Sequence, residues 1–233
     1  ENGYFPIQKK MLLEDGISAS ALATLEKKGV LSVERFQIDR IQLNSGKNIA
    51  FKELTEAQSK ALKQLEGEML KHKVSLLHGV TGSGKTEIYV QLIQDQLDQG
   101  KQVLFLLPEI ALTTQLIQRL SAYFGEKIGV YHSKFNQNER VEIWNKVLQD
   151  DPHEFRIILG ARSSVFLPFQ NLGLIIVDEE HESSFKQYDP APRYNGRDAA
   201  IVLGRMHEAK VLLGTATPSL ETYTNAKQGK YGL

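Results

Sequence analysis

The stretch Gly79-Val80-Thr81-Gly82-Ser83-Gly84-Lys85-Thr86 decides more about this chain than any other. It has the pattern G-x-x-x-x-G-K-T, which is typical of a phosphate-binding loop. Glycines let the backbone bend around an anion, and the positive end of a following helix adds to the attraction. Lys85 would reach the β- and γ-phosphates, and Thr86 would offer its hydroxyl to Mg²⁺. We therefore expect ATP and Mg²⁺ to bind through Gly79, Thr81, Gly82, Ser83, Gly84, Lys85 and Thr86. The alternative is a glycine-rich turn that binds no ligand.

The sequence around this loop predicts an α/β fold. Apolar strands separated by helix-length segments indicate a parallel sheet that is covered by helices on both faces. The predicted strands are 74–77, 102–107, 128–131, 156–159, 173–177 and 210–213, and the predicted helices lie near 55–70, 85–98, 111–124, 137–149, 197–208 and 219–228. Ligands of such sheets bind at the carboxyl ends of the strands. We expect the polar segments that follow these strands to share one rim with the phosphate-binding loop.

The first 45 residues form a separate predicted domain, 1–45, in front of a main domain, 46–233. Ser18 is suited to begin a helix, because its side chain can accept a hydrogen bond from a free N–H group. Gly29 is suited to end that helix, and a strand-like stretch, Arg35–Leu43, follows it. A helix–turn–helix followed by strands is the outline of a partial winged-helix DNA-binding domain. A plain helical hairpin that packs on the main domain is the alternative.

Composition excludes several classes of protein. The chain has 233 residues, 28 basic and 28 acidic, so a nucleic-acid surface must be a local patch. It has no cysteine, which excludes disulfides and thiolate zinc sites within it. We find no apolar run of transmembrane length and no secretory layout at the first residues. We therefore predict a cytoplasmic protein that does not interact with membranes. The chain has no initial Met, and we expect it to be a fragment of a longer protein.

A second chemical constellation follows the predicted strand at 173–177. The apolar run leads directly into Asp178-Glu179-Glu180-His181, and a strand that ends in an acidic pair suits the metal half of an ATPase. Asp178 would hold Mg²⁺ through water, and Glu179 would orient and deprotonate the attacking water. His181 would sense the γ-phosphate or bond to a neighbouring segment. The alternative is an acidic helix N-terminus, where carboxylates are favoured by the helix dipole.

These segments resemble the motifs of superfamily 2 helicases, and specifically of replication-restart helicases. The acidic box resembles their D-E-x-H motif, and Gly214–Ser219 resembles their third motif. Leu54–Gln58 resembles the segment whose glutamine recognises adenine, and Pro108–Thr113 resembles motif Ia. The resemblance implies a RecA-like P-loop NTPase lobe. It implies nucleotide contacts by Gln58 and Glu87, and coupling of the ATP state to DNA through His181, Thr215 and Thr217.

An aromatic-rich loop follows the acidic box. Ser183–Arg197 contains three aromatic residues, two prolines and several cations in no regular period. Aromatic rings can stack on bases, and arginine can bind phosphates, so we expect this loop to bind DNA. The alternative is a loop whose aromatic side chains fill the core. The residues expected to bind DNA are Phe185, Tyr188, Arg193 and Tyr194 in the loop, and His132, Ser133, Arg162 and Ser163 at the ends of other strands. We expect Trp144, on an amphipathic helix, to pack in the core.

The resemblance implies the first motor lobe of an ATP-dependent DNA helicase that acts in replication restart and primosome assembly. Its implied partners are forked and single-stranded DNA, primosome proteins and single-strand binding protein. The second lobe, which carries an arginine finger and zinc-binding cysteines, would lie beyond these residues. Because such a finger contributes about 10³–10⁵ in rate, we expect these 233 residues alone to bind nucleotide weakly and to hydrolyse it slowly. The alternatives are a P-loop nucleotide kinase or switch, and a winged-helix DNA-binding regulator with a scaffold lobe.

Overall fold

A computed structural model describes residues 12, 17–31, 51–111, 114–132 and 135–233. The chain divides into two units, Glu1–Asp39 and Arg40–Leu233. In the first unit, helix α1 (Ala19–Lys27) begins after Ser18, whose Oγ accepts a hydrogen bond from the Ala21 N–H at 3.2 Å. The predicted start of this helix is therefore confirmed. The strand expected at 35–43 lies outside the described residues, so the winged-helix domain and its boundary near residue 45 stay predictions.

The second unit contains the α/β fold that the sequence predicts. Its described strands are β1 (Val74–His78), β2 (Gln102–Leu106), β3 (Ile128–Tyr131), β4 (Ile157–Gly160), β5 (Leu172–Asp178) and β6 (Lys210–Thr215). The helices are α2 (Glu56–Lys71), α3 (Lys85–Asp98), α4 (Thr114–Phe124), α5 (Gln137–Gln149), α6 (Gly196–Met206) and α7 (Leu220–Lys227). Short 3₁₀ turns occupy Glu109–Ala111, Gly125–Lys127, Arg162–Phe166 and Ser183–Phe185. Predicted and observed bounds agree to within three residues for each strand and helix that the structure describes in this unit.

All six strands are parallel and lie in the order β1-β6-β5-β2-β4-β3. The register pairs Asp178 of β5 with Gly214 of β6, and His78 of β1 with Thr215 of β6. Because every strand runs in the same direction, the segments after β1, β5 and β6 leave the sheet at one edge. Strand β6 lies between the strand that leads into the phosphate-binding loop and the strand that leads into the acidic box.

Both faces of the sheet are covered by apolar helix surfaces. One cluster joins residues of α2, α3 and α4 to one face, with Tyr89, Ile93 and Phe105 fully or almost fully buried. The other joins residues of α5, α6 and α7 to the opposite face. Continuous Val, Ile and Leu runs in the central strands suit burial on both faces. No helix among the described residues is both long enough and apolar enough to cross a bilayer.

The expectation that Trp144 packs in the core is wrong. Helix α5 buries Ile143 and Val147 against the sheet, whereas the Trp144 residue is 43% exposed. A second apolar stripe on the same helix, formed by Val141, Trp144 and Leu148, faces away from the core. Both stripes have the spacing of an amphipathic helix, so periodicity alone selected the wrong one.

A buried polar cluster joins the end of β5 to helices α6 and α7. The Glu180 side chain is fully buried, and its Oε1 accepts a hydrogen bond from the Ser219 N–H at 2.7 Å. Its Oε2 accepts from Arg197 Nη1 at 3.0 Å, from Ser219 Oγ at 3.1 Å and from Thr222 Oγ1 at 2.9 Å. A buried carboxylate is tolerated only when it is paired and fully hydrogen-bonded, so this cluster holds three elements together.

We expect Arg197→Met to lower the free energy of unfolding by about 3 kcal/mol, because it leaves the buried Glu180 carboxylate without its cation. Urea denaturation would measure the loss. Arg205→Met is the matched control, since Arg205 lies in the last turn of the same helix and is exposed. The control should change stability by no more than about 0.5 kcal/mol. Equal effects of the two substitutions would contradict the structural role of the ion pair.

Candidate functional site

The segment 79–84 forms a tight loop between β1 and the first turn of α3. Gly84 has a left-handed φ of 83°, and a Cβ atom there would lie 2.0 Å from Gln58 Nε2. Only glycine meets both conditions without strain. Lys85 Nζ donates a hydrogen bond to the Gly79 carbonyl oxygen at 2.9 Å, so the ammonium group lies over the loop. Thr81, Gly82 and Ser83 are exposed at the crest of the loop. Strand, loop and helix thus follow each other as a phosphate-binding loop requires.

The phosphate-binding loop and the acidic box open into one cleft of about 330 Å³. The lining residues are Thr81, Gly82, Gly84, Lys85, Thr86, Glu87, Arg119, Asp178 and Glu179. The structure therefore brings the candidate phosphate lysine and the candidate metal carboxylate together, although they come from strands that are not neighbours. Gln58 lies beside the loop, where its Nε2 donates to the Gly84 carbonyl oxygen at 3.4 Å.

Asp178 is held by a buried tyrosine that the sequence reading did not single out. Tyr89 is fully buried, and its hydroxyl donates a hydrogen bond to Asp178 Oδ1 at 2.8 Å. Burial, and to a lesser extent the Glu179 charge, raise the pKa of Asp178 above its usual value, although the Tyr89 hydrogen bond and the Lys85 charge offset part of the rise. Burial, and then the adjacent Asp178, raise the pKa of Tyr89 well above its usual value, so its hydroxyl stays a donor. The clue in the sequence is that Tyr89 follows Thr86 by three residues on a helix, hence on the same side.

The remaining members of the acidic box have separate environments. Glu179 lines the cleft and has a φ of 49°, a left-handed conformation that is uncommon outside glycine. Such strain is concentrated at functional sites. His181 Nδ1 bonds to Thr215 Oγ1 at 2.8 Å, and its Nε2 bonds to Thr217 Oγ1 at 3.3 Å. The structure thus joins His181 to the segment after β6, as one of the two sequence-based interpretations expected.

The oxygen donors at this cleft suit Mg²⁺. Thr86 supplies a hydroxyl and Asp178 a partly buried carboxylate, and both line the cleft. Among the described residues no group of three or more His, Asp or Glu side chains could hold a metal ion. Mg²⁺ needs no such cage, because it keeps several waters and binds through one or two carboxylates together with substrate phosphates. The residues present therefore fit this ion.

Arg119 is a second residue that the sequence reading missed. It lies on α4, lines the cleft, and forms an ion pair with Glu87 of α3. This pair places a guanidinium group at the cleft, on the side of the loop where Glu87 lies. A cation on the helix that follows the motif Ia-like segment, Pro108–Thr113, was the available clue. Glu87 itself was expected to contact nucleotide, and it does line the cleft.

The aromatic-rich loop is closed on itself at its base. Lys186 and Asn195 form an antiparallel bridge, and the Gln187 N–H donates to the Tyr194 carbonyl oxygen at 2.8 Å. Arg162 Nη1 donates to the Ser184 carbonyl oxygen at 2.9 Å. At the tip, Gln187 Nε2 donates to two loop carbonyl oxygens at 2.8 and 3.1 Å. These bonds give the loop a defined shape.

The structure argues against DNA stacking by Phe185. This residue is 1% exposed and belongs to the apolar cluster under α6, because the 3₁₀ turn Ser183–Phe185 directs its ring inward. Tyr188 is 62% exposed, with Lys186 Nζ 5.0 Å from its ring centroid, and Arg193 is exposed as well. Tyr194 is half-buried, and its ring meets that of Phe166 edge-on, with the ring centroids 5.0 Å apart. Phe185 thus packs in the core, whereas Tyr188, Arg193 and Tyr194 each keep some solvent-accessible surface.

The candidate residues at the other strand ends differ in what the structure describes. His132 follows β3 and stacks on Phe135 with ring centroids 4.0 Å apart. Ser163 is half-buried in the 3₁₀ turn Arg162–Phe166 that follows β4. Ser133 lies outside the described residues. His132, Arg162 and Ser163 thus lie at the strand edge that carries the cleft, because β3 and β4 are parallel to β5.

Solved structures share this fold. The structure of RecG bound to a three-way DNA junction matches with a TM-score of 0.55 and 24% identity, covering 77% of this chain and 23% of that chain. The DUF1998 helicase MrfA matches with a TM-score of 0.54 and 16% identity, covering 94% of this chain and 32% of that chain. At these identities the likeness establishes the fold alone.

Sequence comparison reaches further. Replication restart protein PriA of Bacillus subtilis is 43% identical over 220 residues, which are 93% of this chain and 27% of that protein. The protein of the same name from Chlamydia muridarum is 40% identical over 232 residues, 97% of this chain and 30% of that protein. The chain thus spans less than a third of either relative. The DEAD/DEAH box helicase model matches residues 55–226, which is most of the chain. The chain therefore belongs to the DEAD/DEAH box helicase family.

Proposed function

We propose that this chain is the first motor lobe of an ATP-dependent DNA helicase that acts in replication restart. The observation that carries the proposal is the convergence of Lys85 and Asp178 on one cleft in a chain of the helicase family. Two relatives that share 40–43% of its residues are replication restart proteins. Family membership speaks against the kinase or switch alternative.

In the proposed reaction, ATP binds with its phosphates against the loop 79–84. Lys85 and the N–H groups at the start of α3 stabilise the negative charge of the phosphates. Thr86 and, through water, Asp178 would hold Mg²⁺, and the ion would supply further positive charge against the phosphate oxygens. Glu179 orients the attacking water and accepts its proton. The left-handed backbone of Glu179 supports this role, because it presents the carboxylate to the cleft rather than to the core.

Contacts to the adenine base, and a segment that couples the ATP state to DNA, complete the proposal. Gln58, which lies beside Gly84, recognises the adenine base, and Glu87 is a further contact to the nucleotide. His181 transmits the state of the γ-phosphate to Thr215 and Thr217, with which it shares hydrogen bonds of 2.8 and 3.3 Å. A histidine that bonds through both ring nitrogens has its orientation set by its partners. Movement of the segment after β6 would therefore reach the acidic box directly.

The proposed DNA contacts lie at the same edge of the sheet. Tyr188 and Arg193 are exposed, and their side chains can stack on bases or bind phosphates. The further contacts that we propose are Tyr194, Arg162, Ser163, His132 and Ser133. The substrates would be forked and single-stranded DNA, in the cytoplasm. Primosome proteins and single-strand binding protein are the proposed partners, and any zinc would be bound outside these residues.

Lys85→Ala should weaken binding of a fluorescent ADP analogue in the presence of Mg²⁺ by about 10- to 100-fold. Hydrogen bonds to charged groups contribute about 1.5–3 kcal/mol each, and Lys85 would be the main phosphate cation. Lys60→Ala, which alters an exposed lysine on α2, is the matched control and should bind normally. Unchanged binding by Lys85→Ala would support the scaffold-lobe alternative and contradict the motor proposal.

Tyr188→Ala should lower the affinity for single-stranded DNA by about 5- to 100-fold, because stacking of one base contributes about 1–3 kcal/mol. Its thermal midpoint should stay that of the unchanged protein, since the ring is mostly exposed. Tyr188→Phe keeps a stacking face and should retain most of the affinity. Fluorescence anisotropy with a labelled oligonucleotide would measure all three proteins.

Phe185→Ala should behave in the opposite way. Removal of a buried phenyl ring costs about 3–5 kcal/mol of folding free energy, so its thermal midpoint should fall clearly. DNA affinity measured well below that midpoint should fall less than for Tyr188→Ala. A stable Phe185→Ala protein with the larger loss of DNA affinity would contradict the division of roles between the two rings.

A further inference from the structure

We propose that Tyr89 is a positioning residue that orients the Asp178 carboxylate for Mg²⁺, and that Gly214 is a glycine because it leaves room for the Tyr89 hydroxyl. This inference deepens the proposed function and rests on it. Tyr89 would not touch ATP or the metal ion. It would act through Asp178 alone, and therefore it would affect the metal more than the nucleotide.

The ring of Tyr89 is held firmly enough to set the direction of its hydroxyl. The residue is fully buried in the apolar cluster between α3 and the sheet. Its ring meets Phe105 of β2 edge-on, with centroids 5.5 Å apart. Aromatic pairs in this geometry stabilise one orientation beyond what area burial provides. The hydroxyl group of Tyr89 therefore has one fixed position.

In this position the hydroxyl contacts the carboxylate of Asp178. The hydroxyl donates to Asp178 Oδ1 at 2.8 Å, inside the range of a strong O–H···O bond. A buried tyrosine hydroxyl requires such a partner, and the partly buried carboxylate of Asp178 provides it. Hydrogen bonds of this kind restrict the rotation of a ligating carboxylate and tune its affinity for metal.

The glycine near the end of β6 is explained by the same contact. Gly214 is paired with Asp178 in the register of β5 and β6. A Cβ atom at Gly214 would lie 1.8 Å from the Tyr89 hydroxyl oxygen and 3.2 Å from Asp178 Oδ1. Any side chain there would displace the hydroxyl, and the tightly packed ring leaves it no alternative position. Close approach, rather than an unusual backbone conformation, selects glycine at this position.

One helix therefore governs both candidate metal ligands. Thr86, in the first turn of α3, provides one ligand itself, and Tyr89, three residues later, orients the other. Asp178 stands on β5, which is separated from β1 by β6. The hydroxyl of Tyr89 is thus a direct link between the phosphate-binding half and the acidic half of the cleft.

The test is Tyr89→Phe, which removes the hydroxyl oxygen and keeps the ring. A fluorescent ADP analogue would be titrated first in EDTA, and Mg²⁺ would then be titrated into the ADP complex. We expect Mg²⁺ to bind at least 10-fold more weakly, in line with losses of about 10- to 100-fold for such partners of metal ligands. Binding of the analogue in EDTA should change by less than about 2-fold on the same argument. Tyr123→Phe, which alters another buried tyrosine of the same cluster, is the matched control and should match the unchanged protein in both titrations.

Three results would separate the possibilities. Unaltered Mg²⁺ affinity in Tyr89→Phe would overturn the inference. Equal losses in EDTA and in Mg²⁺ would overturn it too, because they would indicate general damage to α3. If the unchanged protein bound no nucleotide, the proposed function would fail and the inference with it, whereas normal binding with an unaltered Mg²⁺ response would leave the proposed function standing.

Gly214→Ala tests the steric part independently. It should lower the thermal midpoint, and the double substitution with Tyr89→Phe should recover part of that loss. In the double variant the nearest atom to the new methyl group would be ring Cζ at 2.9 Å instead of the hydroxyl at 1.8 Å. A strictly additive pair, or a Gly214→Ala protein as stable as the unchanged one, would overturn the steric argument.

Discussion

The parallel register of β5, β6 and β1 is the constraint on which the site depends. It aligns Asp178 with Gly214 and His78 with Thr215, so three segments leave adjacent strands at the same level. The side-chain period of a strand is two, so a slip of one residue would turn Asp178 to the opposite face of the sheet. Asp178 would then lose both its hydrogen bond to Tyr89 and its position in the cleft. The apolar runs that bury both faces of the sheet therefore also determine the geometry of the polar residues at its edge.

The acidic box shows how neighbouring residues acquire different chemistry. Asp178 is directed toward α3 and bonds to Tyr89, whereas Glu180 is directed toward α6 and α7 and bonds to Arg197. Glu179, between them, has a left-handed backbone and lines the cleft. Desolvation raises the pKa of Asp178, and the Glu180 charge is neutralised by an adjacent guanidinium group. Three consecutive carboxylates thus differ in their surroundings: the first is hydrogen-bonded to a tyrosine, the second lines the cleft, and the third is buried in an ion pair.

Much of the fold and the centre of the site followed from the sequence, because they depend on local pattern. Hydrophobic periodicity located the strands, and the spacing of the glycines and the lysine in residues 79–86 is the spacing that a phosphate-binding loop requires. What could not be predicted depends on tertiary contact. The spacing between Thr86 and Tyr89 indicates on which side of the helix the ring lies, but not that its hydroxyl meets Asp178, which is 89 residues away. Trp144 and Phe185 were misjudged for a related reason, since a pattern identifies an apolar residue but not the surface it packs against.

The aromatic-rich loop contains both a buried and an exposed aromatic residue, and the two have different roles. Phe185 anchors its first turn in the core, and Arg162 holds the Ser184 carbonyl oxygen, so the base of the loop is fixed to the sheet. Gln187 ties the tip by two hydrogen bonds, and Tyr188 is left exposed on this frame. A side chain on a preorganised loop loses less conformational freedom on binding than one on an unsupported loop. Loop packing and the proposed base stacking, which the sequence presented as alternatives, are therefore compatible, because the buried ring of Phe185 supports the loop on which Tyr188 is exposed.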